Sequence, residues 1–219
     1  MITVITKNYT KPPVCEKEIL RYAGCKSADD ETMNLLKICL DEADRILKYK
    51  VCFCVLPLKI SGNLCELSEL KIFSANLSEN LNGCNKLLMF AATLGVGIDR
   101  LISKYGAISP TKALMMQAIG SERIEALCDA FCSEYCLENN VGLSPRYSPG
   151  YGDLSLDIQK HIFNILDCYG KIGLCLNDSM IMSPSKSVTA FSGIGNFNNY
   201  KINKCTFCDK AECLYRRKA

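Results

Sequence analysis

Three cysteines near the C-terminus have a spacing that suits metal chemistry. Cys205, Cys208 and Cys213 follow the pattern CxxCxxxxC. The two-residue gap lets two thiolates of one turn converge on a single metal, and the longer gap brings a third thiolate to the same side. The fourth ligand is either a cysteine of the body such as Cys175, a non-protein ligand or an open cluster position. The spacing predicts an iron–sulfur cluster or zinc, and a reduced tail without metal is the alternative.

The rest of the composition is that of a globular protein. The chain has 219 residues, of which 48% are hydrophobic and 22% charged, as expected for a protein with a substantial core. Its 26 basic and 23 acidic residues are mixed along the chain, which argues against a nucleic-acid partner. Neither a signal peptide nor a membrane span is evident, so we expect a cytoplasmic protein without membrane association, in which most of the 15 cysteines are reduced.

The hydrophobic pattern predicts the elements that position the candidate residues. The sequence predicts a short helix between Pro13 and Gly24, a helix over 30–47 and another that follows TLGVG at 93–97. Further helices are predicted at 110–138 and 155–169, with Asp29 or Asp30 and then Ser109 as N-caps and a kink expected near Gly120. Strand character is found at 2–6, 50–60, 70–74, 86–92, 172–176 and 186–194. This irregular order predicts an α+β domain at 1–195, and the polar, aperiodic segment 196–219 is predicted to be a separate Cys-rich tail.

The segment RYSPGYGD at 146–153 resembles the ligand loop of the activation domain of cobalamin-dependent methionine synthase. The family pattern is Arg, any residue, Ala, any residue, Gly, Tyr, and Ser148 replaces the alanine. AATLG at 91–95, the helix around Phe131 and KSVTAF at 186–191 follow in family order. The resemblance is good over 85–194 and looser before it, and it implies a mostly antiparallel sheet with packed helices.

The same resemblance implies a site for S-adenosylmethionine. Arg146 would hold the ligand's carboxylate, since a guanidinium is a planar fork that matches a carboxylate. The backbone around Ser148 and Gly150 would line the adenine side, because glycine permits close approach to a ring. Tyr151 would pack nearby. Asp129, on the preceding helix, aligns with a family glutamate that contacts the same ligand.

The implied function is that of a stand-alone activation protein. It would bind S-adenosylmethionine and support reductive methylation of cob(II)alamin on a separate methionine synthase or another corrinoid protein, with a flavodoxin or ferredoxin as reductant. Cobalamin would come only with the partner. Because the chain would donate no acid, base or nucleophile, it would be a component of a methyltransferase system, and whether it counts as an enzyme stays open.

The sequence departs from the family pattern at two further places, and the first departure supports an alternative. The family aspartate near the start of the domain is replaced by glycine within 19–24, and the family proline a few residues after the tyrosine is absent. The alternative is a corrinoid-protein-binding module that delivers electrons through a metal centre in the tail and has a vestigial cofactor pocket. A structural adaptor without any ligand is a third hypothesis.

Overall fold

A computed structural model describes residues 2–25, 27–68 and 70–195. Its helices are α1 (Glu16–Tyr22), α2 (Asp30–Asp44), α3 (Ala75–Asn80), α4 (Gly97–Ile108), α5 (Pro110–Asn139), α6 (Ile158–Leu166) and α7 (Cys168–Ile172). Its strands are β1 (Ile5–Tyr9), β2 (Tyr49–Pro57), β3 (Lys59–Ser61), β4 (Leu64–Leu67), β5 (Leu70–Phe73), β6 (Lys86–Thr93), β7 (Gly142–Leu143), β8 (Cys175–Leu176), β9 (Met182–Ser183) and β10 (Ser187–Gly195).

The centre of the fold is a five-stranded sheet with the order β1-β2-β6-β10-β7. Every pair of neighbours in it is antiparallel. Two small antiparallel sheets, β3-β4-β5 and β8-β9, complete the strand set of the described residues. The structure therefore confirms the predicted α+β class with a mostly antiparallel sheet and packed helices.

Each face of the central sheet supports a separate hydrophobic core. Because side chains alternate along a strand, Phe53 and Phe90 lie on one face and Cys52 and Met89 on the other. The first face packs against α1, α2, α4 and α5, where the Phe131 ring lies 5.1 Å from that of Phe53 and 5.0 Å from that of Phe90. The second face packs against α3, α6 and α7. The sheet therefore separates α5 from α6.

Some predicted boundaries and caps are confirmed, and others are wrong. Asp29 caps α2 by accepting the Thr32 N–H at 2.9 Å, as predicted. The first strand is Ile5–Tyr9 rather than 2–6, because the pairing with β2 decides its position. Ser109 is at the N-cap position of α5, but its side chain makes no capping hydrogen bond. α6 begins at Ile158, later than the predicted start near residue 155.

A kink was predicted at Gly120, and packing gives this glycine another role. α5 continues unbroken through this position. A Cβ at Gly120 would lie 2.9 Å from Cγ of Lys186, so the glycine lets the Lys186 side chain cross the helix. Lys186 also donates a hydrogen bond to the Ser121 hydroxyl at 3.1 Å, and burial lowers its pKa. The residue before β10 is thereby fixed against α5.

A buried arginine ties the N-terminal segment to α5. Arg123 is fully buried and donates hydrogen bonds to the backbone oxygens of Pro12 and Pro13, each at 2.6 Å. It also forms an ion pair with Glu122, whose Oε1 accepts the Cys15 N–H at 3.0 Å. These bonds hold the chain entering α1 against the long helix. Among the described helices, none is long and apolar enough to cross a membrane.

Candidate functional site

A cleft of about 620 Å³ opens at one edge of the central sheet, beside the first residues of β10. On its outer side β10 pairs with β7 only at Ile194 and Gly195. Within the described residues, no strand covers the outer edge at 187–189. The cleft is lined from several elements, by Asn80, Glu125, Pro145, Arg146, Tyr147, Ser148, Pro149, Tyr151, Gln159, Met182, Ser187, Val188 and Thr189.

The loop that forms one wall of this cleft is attached to β10. Ser144 donates its backbone N–H to the Gly193 oxygen at 2.9 Å, and its hydroxyl accepts the Gly193 N–H at 2.8 Å. Tyr147 and Phe191 exchange two backbone hydrogen bonds of 2.9 and 2.8 Å. Beyond Tyr147 the loop leaves the strand, which opens the cleft. Because backbone groups alternate in direction along a strand, Thr189 directs its N–H and C=O to the same side as Phe191, toward the cleft.

The second half of the loop is attached to α3 through Asp153. Its carboxylate accepts the Ala75 N–H at 2.6 Å, the Asn76 N–H at 3.3 Å and the Ser74 hydroxyl. In return, the Asn76 side chain accepts the Asp153 N–H at 3.2 Å. The hydrogen bond from Ser74 is the main cause that lowers the pKa of Asp153, and the hydrogen bonds from the helix backbone lower it further. Asp153 therefore acts as a cap supplied from a distant part of the chain.

Two glycines allow the tight turn between these attachments. Gly150 and Gly152 have φ values of +87° and +53°, a region that side-chain-bearing residues rarely adopt. A Cβ at Gly152 would overlap the Tyr147 hydroxyl. That hydroxyl donates to the Tyr151 backbone oxygen at 3.3 Å, and burial raises the pKa of Tyr147, so the group stays a neutral donor.

Arg146 joins the loop to α5 through two carboxylates. Its side chain is 5% exposed, and Nη1 donates to Oδ1 of Asp129 at 2.5 Å while Nη2 donates to Oε2 of Glu125 at 2.7 Å. Glu125 and Asp129 are four residues apart and so lie on one face of α5. The Asp129 side chain is 54% exposed, whereas that of Glu125 is 28% exposed. The guanidinium is thus fixed in place while its outer partner faces solvent.

A second cleft, of about 480 Å³, lies between α1 and α5 on the other side of this ion pair. Asp129 lines this cleft, and Glu125 lines both clefts. Glu18 of α1 lines it as well and accepts a hydrogen bond from Arg21 at 2.7 Å. An N-terminal carboxylate is therefore present directly before the stretch 19–24, where the family aspartate was found to be missing.

The structure brings most of the predicted ligand residues together. Arg146, Ser148 and Tyr151 line the first cleft, and Tyr151 is 67% exposed at its rim. Gly150 belongs to the same turn, although it is not part of the lining. Asp129 reaches the site through its bond to Arg146 and lines the neighbouring cleft instead.

The predicted metal ligands Cys205, Cys208 and Cys213 lie outside the described residues, and so does the whole predicted tail at 196–219. Cys175, proposed as a fourth ligand, is exposed and free. In the part of the chain that the structure describes, no group of three or more His, Cys, Asp or Glu side chains is arranged to hold a metal ion. The metal centre therefore stays a prediction.

Among the polar residues of the cleft that sequence reasoning missed are Glu125, Asn80 and Gln159. Glu125 precedes Asp129 by one helical turn, so the shared helix face was a usable signal. Asn80 accepts the Ser144 hydroxyl hydrogen bond at 3.0 Å, and Gln159 enters from α6. Asn80 is far from the loop in sequence, whereas Gln159 follows it closely, and no local pattern marks either residue.

Comparisons with known proteins place the fold but give no sequence family. No family model and no curated protein matches the sequence. A solved structure described as the MetH reactivation domain bound to AdoHcy is similar over 91% of this chain and 80% of that chain, with a TM-score of 0.66 and 15% identity. The chain is thus an α+β protein with the fold of the MetH reactivation domain. This confirms the fold expected from the sequence resemblance.

Proposed function

We propose that this protein binds S-adenosylmethionine in the cleft beside β10 and supports reductive methylation of cob(II)alamin on a separate methionine synthase. The observation that carries the proposal is the Arg146 guanidinium, held at the cleft by Glu125 and Asp129. It stands in a fold of which one solved example is described as bound to AdoHcy, the demethylated form of the same ligand. The cleft volume of about 620 Å³ lies within the range of small-molecule sites.

The ion pair between Arg146 and Asp129 is complementary to the amino-acid end of such a ligand. That end carries a carboxylate and an ammonium group, which are the charges opposite to those of the pair. We expect the ligand's carboxylate to take the Nη1 side of Arg146 and its ammonium to bind the Asp129 carboxylate. Asp129 is more than half exposed, so it can turn toward the ligand at little cost in desolvation.

The chain's contribution to methyl transfer is positioning. Arg146 and the attached loop would hold the methyl donor in one orientation, with the cleft mouth beside Tyr151 open to the partner. The partner's corrinoid, reduced by one electron from a flavodoxin or ferredoxin, would accept the methyl group, and S-adenosylhomocysteine would be left in the cleft. Orienting two reactants in a closed site can supply several kcal/mol without a catalytic side chain.

Calorimetric titration tests the ligand proposal. S-adenosylhomocysteine and S-adenosylmethionine are expected to bind the purified protein with one site per chain. 5′-Methylthioadenosine, which lacks the amino-acid end, should bind more weakly because it cannot use Arg146. Absence of binding by both S-adenosyl compounds at millimolar concentration would overturn the proposal and leave the electron-delivery alternative.

Methylation of the corrinoid partner tests the functional step. The protein, S-adenosylmethionine and a reductant should restore methylcobalamin on a corrinoid protein of the same host, followed by its absorption spectrum. We expect micromolar affinity between the two proteins, since complexes that form for one step usually have small interfaces. If the protein restores methylcobalamin on none of the host's corrinoid proteins, the proposed role is wrong.

A further inference from the structure

Gln159 has a buried side-chain oxygen without a hydrogen-bond partner. The residue is 6% exposed, and no described group hydrogen-bonds its Oε1. Other buried oxygens of the described chain also lack a partner, but none of them belongs to a residue that lines the cleft beside β10. Buried polar groups in proteins nearly always have a partner, so an unpartnered carboxamide oxygen in a residue that lines a cleft points to a ligand donor, toward which rotation of the terminal bond would turn it.

The position of Gln159 relative to Arg146 suits a long ligand with two different ends. α5 carries the partners of Arg146 and packs on one face of the central sheet, whereas α6 carries Gln159 and packs on the other. Both residues line the same cleft at the sheet edge. A ligand whose charged end lies at Arg146 can therefore extend past β10 toward Gln159.

The chemistry around Gln159 favours a flat heterocycle with an amino group. Apolar side chains of Pro145, Pro149, Met182 and Val188 line the cleft, which suits the faces of an aromatic base. A carboxamide offers one acceptor and two donors, and glutamine pairs with adenine in this way, accepting from the exocyclic amine and donating to a ring nitrogen. The unpartnered acceptor of Gln159 matches the amine.

We propose that Gln159 is a specificity residue that accepts a hydrogen bond from the exocyclic amine of an adenine base in this cleft. The inference rests on the proposed binding of an S-adenosyl ligand and adds the residue that selects its base. A terminal carboxamide bond rotates readily, so either the oxygen or the amide nitrogen can face the ligand. Gln159 positions and selects the ligand and takes no part in methyl transfer.

Binding of two ligands by a set of variants tests the inference. The ligands are S-adenosylhomocysteine and its analogue that lacks the 6-amino group, titrated into wild type, Gln159→Met and Gln159→Glu. Gln117→Leu is the matched control, since Gln117 is an exposed glutamine of α5 outside the cleft. Circular dichroism and thermal unfolding establish that each variant is folded.

The expected pattern is a coupling between Gln159 and the 6-amino group. Wild type should prefer S-adenosylhomocysteine about tenfold or more, the size of one specific base contact. Gln159→Met should lose that preference, mainly by weaker binding of the amine-bearing ligand. Gln159→Glu keeps an acceptor and nearly the same shape, so it should retain part of the preference even if Gln159→Met fails to fold. Gln117→Leu should behave as wild type.

Other results overturn the inference in distinguishable ways. Equal weakening of both ligands in Gln159→Met would assign the residue a structural role, and unchanged binding would remove it from the site. If Gln159→Glu folds but shows no preference for the amine, the proposed acceptor role is wrong. If wild type binds neither ligand, the proposed function itself fails, whereas binding without coupling leaves the function standing and rejects only Gln159.

Discussion

Arg123 and Arg146 both bind carboxylates of α5, but the two clusters are built differently. Arg123 is fully buried, and its guanidinium donates hydrogen bonds to Glu122 and to the backbone oxygens of Pro12 and Pro13. Arg146 is nearly as buried, with a side chain 5% exposed, yet it binds Asp129, whose side chain is 54% exposed. Both arginine side chains are buried. The difference lies in their partners, because Asp129 is accessible to solvent and Glu122 is not.

That difference separates an anchor from a binding group. The bonds of Arg123 hold the N-terminal segment against α5 in the interior, so we expect them to contribute mainly to folding. The bond between Arg146 and Asp129 can open toward solvent, and another carboxylate can then take the same position. We therefore expect changes at Arg123 to affect mainly stability and changes at Arg146 to affect mainly ligand binding.

The largest effect is expected for Arg123→Met, which should lower the free energy of unfolding by about 3–5 kcal/mol, because it leaves the Glu122 carboxylate buried without its counter-charge. Urea denaturation of the two proteins measures this loss. In the double variant Arg123→Met/Glu122→Gln part of the stability should return, since the buried charge is gone. A loss below about 1 kcal/mol is typical of surface ion pairs and would contradict the structural role assigned to Arg123.

Arg146→Ala should have a smaller effect on stability and a large effect on binding. We expect affinity for S-adenosylhomocysteine to fall about ten- to a hundredfold, as lost hydrogen bonds to a charged group cost about 1.5–3 kcal/mol. Affinity for 5′-methylthioadenosine should stay the same, because that ligand has no carboxylate. Arg146→Lys should keep only part of the wild-type affinity for S-adenosylhomocysteine, since lysine lacks the planar fork of the guanidinium. Unchanged affinity for S-adenosylhomocysteine in Arg146→Ala would reject the site.

The main elements of the fold could be predicted from local patterns. β2, β6, β10 and α5 were all found, since each has a long apolar run or stripe. β4, β9, α3 and the two-residue β7 were among the elements missed. α3 depends on a cap from Ser74 and Asp153, and β7 exists only because it pairs with the end of β10. Such elements follow from tertiary contacts that no window of sequence contains.

The two arginines also differ in how well the sequence alone could identify them. Arg146 was identified through its loop and its spacing from the glycine and tyrosine. Arg123 was missed, because Glu122 and Arg123 in sequence resemble an exposed charged stretch of a helix, and only the packing of 12–15 against α5 buries them. Sequence patterns therefore indicated the loop that offers the arginine, but not which carboxylates would surround it.

Asp129→Asn tests what the solvent-exposed partner of Arg146 does in ligand binding. If Asp129 binds the ligand's ammonium, removing its charge should weaken S-adenosylhomocysteine binding about fivefold, since a charge-assisted hydrogen bond exceeds a neutral one by about 1 kcal/mol. Binding of 5′-methylthioadenosine should not change. Tighter binding of S-adenosylhomocysteine would show instead that Asp129 only competes with the ligand for Arg146. Isothermal titration of both ligands separates these two roles.

The smallest effect is expected at Asp153, which attaches the loop of Arg146 to α3. Hydrogen bonding from Ser74 lowers the pKa of this carboxyl in the folded state. Its contribution to stability is therefore fully present above the unfolded pKa of about 3.9 and is lost as the pH falls through the lower folded pKa. Asp153→Asn should unfold at a lower temperature than wild type at pH 7, because the amide offers one acceptor where the carboxylate offers two.

The gap between the two melting temperatures should stay constant down to about pH 5 and begin to narrow as the pH falls through the unfolded pKa of about 3.9. It should close only below the lower folded pKa, where the folded carboxyl is protonated and neutral like the amide. Thermal unfolding of both proteins from pH 7 to pH 3 measures this gap. Ser74→Ala is the matched variant, since it removes the first cause of the lowered pKa and should shift the closing of the gap to higher pH. A gap that widens in acid would mean that the carboxylate is destabilising in the fold, and the loop would then owe its position to the Ser144 and Tyr147 bonds with β10 alone.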